Sequence, residues 1–72
     1  MKLNYSADTD TLYIELVEQQ STESEEVSEG VIIDYDARGN LVGIDIDNAS
    51  TKVDMRILQL VNLATKVETV AA

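Results

Sequence analysis

Asp34, Asp36, Gly39 and Asp45, within the stretch DYDARGNLVGID, fall at positions 1, 3, 6 and 12 of a calcium-binding loop. The chemistry would be chelation of a hard cation by oxygen atoms. Two residue types oppose it. Arg38 stands at the fifth loop position, where an oxygen ligand is required, and Asp45 is shorter than the bidentate Glu that normally closes such a loop. The flanking residues alternate as strands, not helices, so these acids are expected to shape a tight turn. A second arrangement is a group of carboxylates, Glu15, Asp34, Asp45 and Asp47, placed by strand alternation on the face opposite the core. Two neighbouring acids can work as an acid/base pair, because like charges raise the pKa of one of them. A hydrolase would also need a cleft and aromatic groups to hold substrate. This chain has 72 residues, three tyrosines, no tryptophan and no phenylalanine. No enzyme activity and no catalytic residue is therefore expected; weak calcium or magnesium binding on the acidic face is kept as an alternative.

The composition narrows the remaining classes. Cysteine and histidine are both absent, which excludes disulfides, structural zinc and histidine-based catalysis, and no cofactor is expected. Fourteen acids against five bases give a net charge of -9. Such a field repels phosphate backbones and anionic lipid, so neither nucleic acid nor membrane is an expected partner. A basic protein suits it better. The N-terminus has no apolar leader, and no run approaches the ~18 apolar residues of a membrane span; a cytoplasmic protein is expected. A chain this short has a marginal core. Without disulfides or zinc, association with a second copy is the expected supplement.

Positioning of these groups falls to a few short elements. Residues 2–6 alternate weakly. Residues 11–17 alternate clearly, with Leu12, Ile14 and Leu16 on one side and Tyr13, Glu15 and Val17 on the other. The acidic stretch 18–29 reads as a solvated loop, with a short edge strand around 24–27 as the alternative. Strands are expected at 30–36 and 40–47. Pairing them through a four-residue loop, Asp36 to Gly39, sets Ile33 opposite Val42 and Val31 opposite Ile44, with Gly39 in the left-handed region and Asp36 accepting from turn amides. A helix is expected over 54–66, capped by Asp54, with Ser50 as the alternative start. Its apolar residues, including Ile57, Leu58, Leu60, Val61 and Leu63, cover more of the circumference than a surface helix usually shows. One side is expected against the sheet and another against a second chain. The tail VETVAA either adds a strand or frays. The expected fold is α+β: a four-stranded antiparallel meander with one C-terminal helix on a face.

The ordered combination of Tyr5, Asp10, Leu12, Tyr13, Gly30, Asp34, Tyr35, Asp36, Gly39, Gly43, Ile44, Ala49 and Ser50 resembles a family of small prokaryotic proteins, domain of unknown function 2283. The likeness covers about residues 3–51. It implies a small antiparallel sheet with a C-terminal helix and supplies no activity and no catalytic residues. It also implies kinship with accessory genes that sometimes accompany small toxin-like proteins. The resulting expectation is a non-enzymatic interaction module that forms a homo-oligomer, a dimer first of all, through Ile57, Leu58, Leu60, Val61 and Leu63. The alternative is an antitoxin-like inhibitor that meets a basic protein through Glu23, Glu25 and Glu26.

Overall fold

Strand alternation governs the architecture. A computed structural model describes residues 1–54 and the backbone of 68–71. Six strands form one sheet: β1 (Lys2–Ser6), β2 (Thr11–Glu15), β3 (Glu23–Ser28), β4 (Val31–Tyr35), β5 (Leu41–Ile46) and β6 (Glu68–Ala71). A single helical turn, α1 (Ala49–Lys52), follows β5. The spatial order is β3-β4-β5-β2-β1-β6. All pairings are antiparallel except β1 with β6, which is parallel.

This order corrects the expected meander. A meander would seat β4 beside β2; instead β5 pairs with β2 and β4 lies outside it. Strands β2 to β5 thus follow a Greek-key order. The physical reason lies in composition. β5, LVGIDI, contains two of the three buried apolar residues among those described, Val42 and Ile46. A strand of that kind gains most from neighbours on both sides. β3, ESEEVS, is exposed along its whole length and gains nothing from a central place. Residues 16–22 link β2 to β3 across three strand spacings, about 14 Å, well within the reach of seven extended residues. The four expected strands are present, and two edge strands, β3 and β6, join them.

The pairing sorts side chains into rows. On one face run Leu3–Ile14–Ile44–Ile33 and Tyr5–Leu12–Ile46–Val31. On the other run Asn4–Tyr13–Asp45–Ile32 and Lys2–Glu15–Gly43–Asp34. The expected faces are therefore correct, but the expected register in the β4–β5 hairpin is not. Ile33 lies opposite Ile44 and Val31 opposite Ile46. Two extra residues account for the shift. Asn40 stays in the loop, where its carbonyl accepts from the Asp36 amide at 2.9 Å, and Tyr35 pairs with Leu41. Val42 is then bulged, since the next pair is Asp34 with Gly43. Each addition alone would flip the strand; together they restore the face. The same bulge ends β2 at Glu15, short of the expected residue 17, because the Leu16 and Val17 amides both donate to the Val42 carbonyl, at 2.8 and 3.3 Å.

The turn itself is as expected from its residues. Gly39 has φ 81°, a conformation a Cβ disfavours. The Asp36 carboxylate accepts from the amides of Arg38 and Asn40, both at 2.9 Å. A helical turn is present earlier, at Ala49–Lys52, around the alternative start Ser50, and Asp54 follows it; residues 55–67, on which the body of the expected helix falls, lie outside the described residues.

Of the three glycines, Gly43 has the closest neighbours. A Cβ there would sit 2.6 Å from Tyr13 Cζ and 2.9 Å from the Ile14 carbonyl oxygen, and would also strike the Tyr13 hydroxyl. The Tyr13 ring can swing away, but the Ile14 carbonyl belongs to the neighbouring strand. Gly43→Ala is expected to lower stability by about 1–3 kcal/mol, the usual cost of overpacking. A urea midpoint equal to that of the wild type would show that the β2–β5 approach is not tight.

Candidate functional site

Side-chain hydrogen bonds concentrate where the β1–β2 turn meets α1. Asp10 takes a left-handed conformation, φ 52°, at the turn. Its carboxylate accepts from the Tyr5 hydroxyl at 2.7 Å, from the Ser50 hydroxyl at 2.7 Å and from the Ser50 amide at 3.1 Å. Its backbone carbonyl accepts from the Ala49 amide at 2.9 Å. Ala49 is completely buried. The bonds to Ser50, and then to Tyr5, hold the Asp10 carboxyl below its ordinary pKa, and the Lys52 charge adds to this; the Tyr5 hydroxyl is correspondingly raised, chiefly by its bond to Asp10. Every proton-bearing group here is engaged by another part of the same chain. The cluster ties the first turn to the segment after β5. Sequence reasoning missed it, treating Ser50 only as an alternative helix start. The available signal was the presence of Tyr5, Asp10, Ala49 and Ser50 together in the family likeness.

The carboxylates proposed for acid/base or cation chemistry lie on the face expected for them. Tyr13, Asp45 and Ile32 form one row, and Glu15, Gly43 and Asp34 the next. Burial raises the Asp45 pKa, and the charges of Asp47 and Asp34 raise it further. Its Oδ1 is buried with no hydrogen-bond partner. Tyr13 is also raised, first by burial and then by the charge of Asp34. Asp45 lies within hydrogen-bonding reach of Asp47, but the acids do not gather into one site. Asp34 accepts from the Ser24 hydroxyl at 2.7 Å, and Glu15 lies 4.0 Å from the Lys2 ammonium across the pair. Among the described residues no three carboxylates come together as a metal site. Asp36, the third-position acid of the calcium-like stretch, spends its oxygens on the amides of its own turn.

Glu23, Glu25 and Glu26 lie on β3, all exposed, at the rim of the sheet. Glu25 ends the apolar row at Ile33, while Glu26 and Ser24 end the two polar rows. Ile57, Leu58, Leu60, Val61 and Leu63 lie outside the described residues. Between the end of β2 and the β4–β5 turn is a shallow notch lined by Val17, Gln19, Asp36, Arg38, Asn40 and Leu41, with Val17 and Leu41 about half exposed. No helix among the described residues is long and apolar enough to cross a membrane.

The two perturbed aspartates make opposite contributions with pH. The folded pKa of Asp10 is lowered, so its contribution to stability is present above the unfolded value of about 3.8 and is lost as the pH falls through the folded value. The folded pKa of Asp45 is raised, so its charge opposes folding at neutral pH and that penalty is relieved as the pH falls toward the unfolded value. Asp10→Asn is expected to lower Tm at pH 7, with the deficit shrinking in acid. Asp45→Asn is expected to raise stability at pH 7, because it removes a charge opposed by burial and by Asp47 and Asp34, with the gain vanishing below about pH 4. Thermal melts of both variants from pH 3 to 7 check the signs; parallel curves would refute both assignments.

The sequence model of a family described as "Protein of unknown function (DUF2283)" matches residues 2–50, more than half of the chain. No curated protein and no solved structure is similar to it. The chain belongs to that family.

Proposed function

We propose that this member of a family of unknown function is a non-enzymatic interaction module that forms a homo-oligomer, in the first instance a dimer. One observation carries the reading: the described part of the sheet has almost no buried core of its own. Among the described residues only Val42, Ile46 and Ala49 are buried apolar residues, and no large side chain is fully buried. Apart from Ile46, the isoleucines and leucines of the two apolar rows are only half-buried. The apolar residues 57–63, read from sequence, are the proposed contact between copies.

Two other readings have weaker support. Contact with a basic protein, of the kind an antitoxin-like inhibitor makes, is favoured by the exposed glutamates of β3. Calcium or magnesium binding would have to draw on acids that do not gather into one site. Nothing in the arrangement of side chains supports an enzyme.

Sedimentation equilibrium at micromolar concentration is expected to give twice the chain mass of 7.9 kDa, and Tm is expected to rise with protein concentration. A single species at 7.9 kDa with a concentration-independent Tm would overturn the proposal.

A further inference from the structure

β3 is one of the two edge strands of the sheet, and among the described residues nothing pairs with its outer edge. Alternate amides and carbonyls along such an edge point away from the sheet with no partner. All six residues, Glu23–Ser28, are exposed. A bulge between Glu26 and Ser28 confines the regular ladder to Glu23, Ser24, Glu25 and Glu26.

Charge decides what can pair there. Glu23, Glu25, Glu26 and Glu29 lie in and beside the strand, and no Lys or Arg occurs between Lys2 and Arg38. Among the described residues these glutamates take part in no ion pair. The single polar contact of a β3 glutamate is Glu26, which accepts from the Gly30 amide at 3.4 Å. A second copy of β3 laid against the first would bring glutamates face to face, and like charges directly opposite destabilise a strand pair. The charge that blocks self-pairing favours a strand of opposite sign, because opposite charges across a pair stabilise it by about 0.2–1 kcal/mol each. The outward hydrogen-bonding groups supply affinity that does not depend on side-chain identity.

We propose that the outer edge of β3 accepts an extended segment rich in Lys and Arg as an added strand, so that a basic protein docks by extending the sheet. This assignment rests on the reading that a basic protein is a partner. It is independent of self-association, which uses other residues. Glu23 and Glu25 share one face of β3, and Glu26 lies with Ser24 on the other. A bound strand alternating Lys with Thr therefore meets acids whichever face its lysines take, with the stronger match to Glu23 and Glu25.

The probe is a synthetic peptide of about eight residues alternating Lys and Thr, long enough to span a typical strand. Its control carries the same charge with N-methyl groups on alternate backbone nitrogens, which removes the donors a ladder needs. The unmodified peptide is expected to bind the full chain, to slow amide exchange along β3, and to bind about tenfold more tightly than the control, some 1.4 kcal/mol. Glu23→Gln with Glu25→Gln, exposed substitutions that leave the fold intact, is expected to weaken it further and to flatten its salt dependence. Equal binding of both peptides would overturn the added strand and leave the basic-partner reading standing. Binding of neither would overturn both.

Discussion

The pairing of β2 with β5 is the joint on which the rest of the molecule depends. It brings the N-terminal hairpin against the β3–β4–β5 unit, and it places Ile14 opposite Ile44 and Leu12 opposite Ile46. The joint is held at both ends. At one end the Val42 carbonyl accepts two amides from the chain leaving β2. At the other, Asp10 binds Ala49 and Ser50, which follow β5, while its carboxylate also receives the Tyr5 hydroxyl. Between these clamps Gly43 allows the backbones and the Tyr13 ring to approach more closely than any side chain would permit. A small sheet has little core with which to correct an error in register. Polar ties at the ends of the central pair do part of that work.

The same joint separates two kinds of surface. One face carries the leucine and isoleucine rows and is only partly covered. The other carries Glu15, Asp34 and Asp45, with Tyr13 and Ile32 among them. Acid density then peaks at the β3 rim. An apolar face suits a copy of the same chain, because burial of like surfaces carries no electrostatic cost. An acidic edge excludes that copy and suits a cationic strand. The two proposed contacts, residues 57–63 for a second copy and the β3 edge for a basic strand, therefore use different physics and do not compete for residues.

Legibility followed locality. The turn at Asp36–Gly39 could be read from residue types because its geometry is set within five residues: Gly39 supplies the positive φ and Asp36 caps its own loop. The assignment of each strand residue to a face was legible for the same reason, since alternation is a property of the backbone. The register was not, because Asn40 joining the loop and Val42 bulging both depend on carbonyls and amides of other segments. β3 was read mainly as a loop, because an edge strand with nothing to bury leaves no hydrophobic period in its sequence. The Asp10 cluster was invisible as a cluster, because its partners lie 5 and 40 residues away along the chain.

The sequence by itself determined the charge, the absence of thiol and imidazole chemistry, the positions of the main strands and the side of the sheet on which each residue falls. These depend on residue type and on the two-residue repeat of an extended chain. Only the tertiary structure decided that β5 sits between β4 and β2, that Asp10 ties the first turn to the segment after β5, and that the most acidic strand lies at the rim. Those outcomes depend on competition among segments for the few sites with neighbours on both sides, and no local pattern records who wins it.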